Sequence, residues 1–429
     1  MHILHSFLIV LLLSGCNSAT YQIQTDATAD ANNNNGVRQV ALFLDGTAND
    51  MDSRTNIAKL SEMVRNQKRK NLHVFYNEGV GTGYRLIGGG TGWGIDQDVA
   101  EAYAFLTYAY RKDAELYLFG FSRGAYTARI LAGMIYSVGI YDFSNKSESE
   151  RLSIAKKLYD IYKSEEKLDF SAASKNGPLL HQPQTCNSLS GDLLLKTEVF
   201  DDVCQIVIKA KQRIGYVAQY RDVNIKAMGL WDTVEALGFW PTIGAIKRNV
   251  FGSSVAPNVV VPNKKYIDQI CNVEQVYHVL SLDDNRGHLF VPISIKTHYV
   301  AGRCGNALAR NKQLEKVQEV WFSGAHADVG GGYTVLEQRE VQSLGYADLG
   351  LSGVSLNWML KKLEKLSYAG EPLVPPALSV GENVMGYAHN GEYDNKLYEE
   401  KPRDEVFVKY CNKDQPSQQT KCAEVGYIF

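Results

Sequence analysis

Residues Glu115 to Ile135 read as a strand, a sharp turn and a helix around one serine, and this constrains the fold more than anything else in the chain. Glu115–Phe119 is short and β-rich, Gly120-Phe121-Ser122-Arg123-Gly124 follows, and Ala125–Ile135 is apolar enough for a buried helix. A serine hydroxyl is a weak nucleophile unless a base takes its proton and the backbone holds it exposed. Glycines two residues to either side leave room where side chains would collide with the adjoining strand and helix. The five-residue pattern alone recurs by chance. The strand before it and the helix after it give it meaning.

The surrounding sequence extends this alternation. Arg38–Leu44 is a largely apolar run that suits a strand buried on both faces, and Thr55–Lys68 is helix-like. His73–Tyr76 predicts another short strand. Within Asp96–Arg111, the residues Val99, Tyr103, Leu106 and Tyr110 share one helical face. Strand character resumes at Val223–Asp232 and at Val317–Ser323. Strands alternating with helices predict an α/β fold with a doubly wound, mostly parallel sheet. Residues 140–220 and 240–275 read as insertions, the first as a cap over the site. Beyond Val335 there is no motif, and 336–429 is expected to be a C-terminal extension packed on the core.

The amino terminus stands apart. Leu8–Leu13 is too short to span a bilayer and fits the core of an export signal, and Leu13-Ser14-Gly15-Cys16 resembles a bacterial lipobox. Residues 1–15 are therefore expected to be a signal peptide and Cys16 a lipidated first residue. Residues 16–37, rich in Asn, Ala and Thr, would be a flexible tether. The implied location is the bacterial cell envelope. Six further cysteines remain, an even number that suits disulfides in an exported chain. Cys186 with Cys204 and Cys411 with Cys422 each close a short polar loop. No C-x-x-C spacing favours zinc. A net charge of −2 gives no electrostatic reason to expect nucleic acid as a partner.

A serine hydrolase needs a histidine base and a carboxylate that orients it. In doubly wound hydrolases these follow the serine in the order carboxylate, then histidine, each on a loop after a strand. Asp232 directly follows the strand ending at Trp231. His326 lies just after the strand ending at Phe322 and before three consecutive glycines. The expected triad is Ser122, Asp232 and His326, with Asp328 as a rival acid. His73 sits inside a strand and His181 in a polar insertion, while His278, His288, His298 and His389 lack the strand-then-glycine setting.

An oxyanion hole is also required. The backbone N–H of Arg123 is one expected donor. Gly46 or Thr47, in the loop after the first core strand, is the other. Such a donor contributes roughly 3 kcal/mol to lowering the barrier. The glycine-dense stretch from Gly79 to Gly94 contains neither G-x-G-x-x-G nor a P-loop, so it reads as a loop beside the site rather than a nucleotide cradle. No cofactor is expected. Two other readings exist: a metal-dependent phosphoesterase using Asp45, His326 and Asp328, and a non-catalytic envelope lipoprotein.

Six segments then occur in order: Phe43–Asn49, Thr55–Ile57, Tyr76–Gly83, Gly120–Ala125, Leu230–Val234 and Gly324–Tyr333. Together they resemble the catalytic domain of the type VI secretion phospholipase effectors of the Tle class, a bacterial α/β-hydrolase family. His278–Arg286 resembles a further family segment. The likeness covers roughly residues 38 to 335, the expected catalytic domain. It implies an α/β-hydrolase fold and a Ser-Asp-His lipase, with Ser122 as nucleophile, His326 as base and Asp232 as acid. It also implies glycerophospholipid ester cleavage, a lipid substrate, and an inhibitory or secretion partner protein. The lipobox moves the expected workplace to the envelope, with the membrane reached through the lipid anchor.

Overall fold

The computed structural model describes residues 36–47, 49–79, 93–164, 202–234, 270, 272–284, 295, 315–333, 350–386 and 388. Its centre is a sheet of six parallel strands: β1 (Gln39–Leu44), β2 (Leu72–Asn77), β3 (Glu115–Phe121), β4 (Ile225–Trp231), β5 (Val276–Ser281) and β6 (Val317–Phe322). They lie in the order β2-β1-β3-β4-β5-β6.

Side chains alternate across this sheet because successive residues of a strand point to opposite faces. Val40, Leu42 and Leu44 of β1, Leu116 and Leu118 of β3, and Met228 and Leu230 of β4 enter one core. That core is covered by α2 (Trp93–Ala109) and α3 (Arg123–Val138). Ala41, Phe43, Tyr117, Phe119, Phe121, Ala227 and Trp231 enter the other, against α1 (Asn56–Arg65) and a late helix spanning Leu351–Glu364. Phe43 and Phe119 stack within it at 5.0 Å between ring centroids. Both faces of the central strands are buried, as the apolar run of β1 leads one to expect.

The stretch read as the first insertion and the one read as a C-terminal extension both contribute to these cores. Between α3 and β4 lie α4 (Glu148–Ser164) and α5 (Asp202–Ile214). Leu158, Tyr159 and Ile161 of α4 and Ala210 of α5 join the α2–α3 side. Ile140 and Tyr220 exchange backbone hydrogen bonds, so the two ends of this segment close on each other. In the late helix, Leu356, Met359, Leu360 and Leu363 complete the second core. The intervening short helix, α6 (His326–Gly330), makes the late one α7.

β5 carries no clear strand signal in the sequence, where only its residues from His278 on fall in the family-like segment His278–Arg286. The strand is short, and His278 and Ser281 interrupt its apolar residues; pairing on both sides, to β4 and β6, makes it a strand. The signal sequence, Cys16, the 235–269 stretch and both cysteine pairings lie outside the residues whose side chains are described. No helix among the described residues is long and apolar enough to cross a membrane.

Strand order fixes where a site belongs. From β1 the chain moves outward to β2, then returns past β1 to β3 and continues the other way. The carboxyl ends of β1 and β3 therefore flank a point where the winding reverses, and open α/β sheets bind ligands in the crevice there. Leu44 leads into Asp45 on one side of it, and Phe121 into Ser122 on the other.

Candidate active site

Ser122 sits between β3 and α3 with φ 57° and ψ −122°. That conformation costs an L-residue about 1–3 kcal/mol, and it persists because the flanking elements impose it. Ser122 N–H donates to the Trp231 carbonyl at 2.9 Å, tying the turn to the end of β4. Gly124 shows why the motif needs its second glycine. A Cβ there would lie 2.0 Å from the Leu44 carbonyl oxygen, so α3 starts hard against the end of β1. Arg123 is the first residue of α3, where backbone N–H groups have no partner within the helix.

Asp232 follows β4 at φ 39° and is fully buried. Its Oδ1 accepts from Ser281 N–H at 3.0 Å, its Oδ2 accepts from Ser281 Oγ at 3.0 Å, and its Oδ2 is 2.6 Å from His326 Nδ1. Several partners converging on this buried carboxylate fix its direction. The His326 imidazole stacks on the Phe121 ring at 4.5 Å between centroids. Since Phe121 immediately precedes Ser122, the imidazole is held against the elbow. Gly330 makes the stack feasible: a Cβ there would lie 2.1 Å from Phe121 Cε2.

Asp328 is placed differently. Its Oδ2 accepts from Ala325 N–H at 2.8 Å, so it caps the amino end of α6. Asp45 accepts from Thr55 Oγ1, Tyr76 Oη and Gly46 N–H. The three residues of the metal reading thus each serve a different local role. No cluster of three or more His, Cys, Asp or Glu suited to a metal occurs among the described residues.

On the oxyanion side, Gly46 lies against the nucleophile: a Cβ on it would be 3.1 Å from Ser122 Cβ. The Gly46 N–H, however, donates to Asp45 Oδ1 at 2.8 Å. Thr47 follows Gly46 in the same loop.

Sequence reasoning missed the support beneath His326. Asp284 Oδ2 accepts from His326 N–H at 3.1 Å, and Asp283 Oδ2 accepts from Gly324 N–H at 2.5 Å. With Ser281, these residues grip Asp232 and the histidine loop from the end of β5. Their only sequence signal was membership of the His278–Arg286 segment. His278, set aside as a base, lies buried within β5, with Nδ1 2.8 Å from Glu319 Oε1 and Nε2 3.0 Å from Thr233 Oγ1. It braces the residue after Asp232. His73 is likewise structural, 2.6 Å from Arg38 Nη1, and burial pulls its pKa down to about 4.

Comparison with known proteins assigns the chain to a family. The family described as "T6SS, Phospholipase effector Tle1-like, catalytic domain" matches residues 38–362. The chain belongs to this family. The Tle1-like match runs past residue 335 and takes in most of α7, which packs in the second core. An uncharacterized protein of Saccharomyces cerevisiae is 25% identical over 269 residues, which is 58% of this chain and 32% of that one. The chain thus spans about a third of the length of that curated relative. Among solved structures, an uncharacterized Pseudomonas aeruginosa protein shares 15% identity at a TM-score of 0.38, over 76% of this chain and 45% of that one. A thermophilic esterase from Thermogutta terrifontis shares 12% identity at a TM-score of 0.32, over 82% of this chain and 97% of that one.

Proposed function

We propose that this Tle1-like domain is a serine esterase that cleaves the acyl esters of lipids, glycerophospholipids first among them. The observation that carries the reading is the 2.6 Å contact of His326 Nδ1 with Asp232 Oδ2 beside a serine held on a strained elbow. With Nδ1 engaged by Asp232, the base role toward Ser122 falls to Nε2.

Ser122 Oγ attacks the acyl carbonyl carbon while His326 Nε2 takes the hydroxyl proton. The carbonyl oxygen becomes an oxyanion, met by the N–H groups of Arg123 and Thr47. Collapse breaks the ester C–O bond, and His326 returns the proton to the departing alcohol, a lysophospholipid when the substrate is a diacyl phospholipid. Water then attacks the acyl-serine with His326 again as base, releasing the fatty acid. Asp232 stays ionised and fixes the imidazole throughout. The family description supports phospholipid as the substrate class. The lipobox cysteine, Cys16, supports an envelope-anchored enzyme, and membership of an effector family supports an inhibitory or secretion partner.

The test is a panel of phospholipids, neutral glycerides and short-chain esters offered to the purified chain, with mass spectrometry of the products. Release of a fatty acid and a lysophospholipid by wild type but not by Ser122→Ala is expected. Absence of ester turnover by wild type, or turnover that survives Ser122→Ala, overturns the reading.

A further inference from the structure

The loop after β1 is held by a buried carboxylate that the mechanism above does not use. Asp45 sits at the carboxyl end of β1, on the rim of the crevice. Its Oδ1 accepts from Gly46 N–H at 2.8 Å, while its Oδ2 accepts from Thr55 Oγ1 at 2.6 Å and from Tyr76 Oη at 2.8 Å. One side chain therefore joins the loop to the amino end of α1 and to β2.

The chemistry of these partners requires an acceptor. Thr55 caps α1, and its Oγ1 accepts from Ala58 N–H at 3.0 Å. Its single hydroxyl proton is then the one it gives to Asp45. Tyr76 gives Asp45 its phenolic proton. An asparagine has one oxygen and one NH2 group, so one orientation sets its NH2 against the Gly46 N–H and the other takes the acceptor away from the Thr55 and Tyr76 hydroxyl protons. A carboxylate accepts from all three donors at once.

The loop is confined as well as anchored. A Cβ on Gly79 would lie 1.3 Å from the Gly46 carbonyl oxygen, so the segment just after β2 presses on the loop, and a Cβ on Gly46 would lie 3.1 Å from Ser122 Cβ. The same node reaches the histidine. Thr55 bridges Gly331 in the glycine run after His326, and Asn56 Nδ2 donates to the Val329 carbonyl at 2.9 Å.

We propose that Asp45 is a positioning residue for the oxyanion hole, its carboxylate setting where the loop after β1 presents the Thr47 N–H to the substrate oxyanion. This rests on the serine-esterase reading. Asp45 touches no substrate; it acts through the loop. An oxyanion donor contributes only where charge develops, so its misplacement lowers turnover and leaves substrate binding alone.

The experiment compares Asp45→Asn, Thr55→Val and Tyr76→Phe with wild type in the full chain, on a soluble ester, with the melting temperature of each recorded. Asp45→Asn is expected to lower kcat about 10- to 100-fold with KM within about twofold, and to weaken inhibition by an alkyl boronic acid by the same factor as kcat. Tyr76→Phe removes one donor and no bulk, and is expected to show a smaller parallel loss of about threefold. It serves as the probe should Asp45→Asn not fold. A variant that melts lower yet keeps its kcat and boronate affinity while folded overturns the proposal, because a purely structural role predicts that result. A wild type that turns over no ester removes the esterase reading, and this inference with it.

Discussion

His326 Nδ1 and Asp232 Oδ2 meet at 2.6 Å although 94 residues of chain separate them. The contact exists because β4 and β6 end at the same edge of the sheet, with Ser281 at the end of β5 between them and donating to the same carboxylate. A carboxylate in that position selects the imidazole tautomer whose Nε2 can accept the serine proton. Asp232→Asn is expected to lower kcat roughly 10³- to 10⁴-fold, with a much smaller effect on KM, in steady-state ester assays.

Asp328, only two residues beyond His326, should behave oppositely. Its carboxylate caps Ala325 N–H, so Asp328→Asn or Asp328→Ala is expected to cost about 1 kcal/mol of stability and to keep kcat within a few-fold of wild type. Urea titration and kinetics on the same preparation check this. A loss of kcat as deep as that of Asp232→Asn would make Asp328 the orienting acid.

Gly330→Ala probes the packing that holds the base. The added methyl would lie 2.1 Å from Phe121, whose ring stacks on His326. Overpacking typically costs 1–3 kcal/mol, and here the strain falls on the ring that aims the imidazole. Stability should fall by about 2 kcal/mol, and kcat should fall even at temperatures where the protein remains folded.

Asp45 gives stability and turnover opposite pH trends. Burial pushes its carboxyl from 3.8 up to about 6, against the pull of its hydrogen bonds to Thr55, Tyr76 and Gly46. A raised acid binds its proton more tightly in the folded state. Its stabilising contribution is therefore fully present below about pH 4 and is lost as pH rises through 6, a span worth about 3 kcal/mol. From pH 6 down to 4, wild type should gain stability relative to Asp45→Asn. Over the same interval the kcat advantage of wild type over Asp45→Asn should shrink as the loop anchor is neutralised. Paired urea melts and rate profiles check both arms.

Chelation addresses the metal reading. Asp45, His326 and Asp328 each face a different local partner, so EDTA is expected to leave the ester hydrolysis rate unchanged. A loss of activity restored by a divalent cation would contradict that expectation.

Much of this architecture is legible in the sequence because its signals are local. β1 announces itself by an unbroken apolar run, and the elbow by glycines that a nearby backbone makes obligatory. Asp232 and His326 are legible because each directly follows a recognisable strand. β5 is not, since its polar His278 and Ser281 are satisfied only by partners contributed from other parts of the chain, Glu319, Thr233 and Asp232. The grip of Asp283 and Asp284 on the histidine loop is hidden for the same reason: an aspartate gives no local sign of which distant N–H it will accept from. The commitment of the Gly46 N–H to Asp45 is a matter of backbone direction, which residue identity does not encode. The stretch beyond Val335 is expected only to pack on the core, and which residues of α7 do so, Leu356, Met359, Leu360 and Leu363, is set by the sheet face they meet.

The central claim is that Ser122 is an activated nucleophile. Treating the purified chain with a fluorophosphonate probe and mapping the modified peptide tests it most directly. The account predicts one adduct, on Ser122, lost in Ser122→Ala and strongly slowed in Asp232→Asn. Labelling that persists in Ser122→Ala, or an active esterase that the probe neither labels nor inhibits, would contradict it.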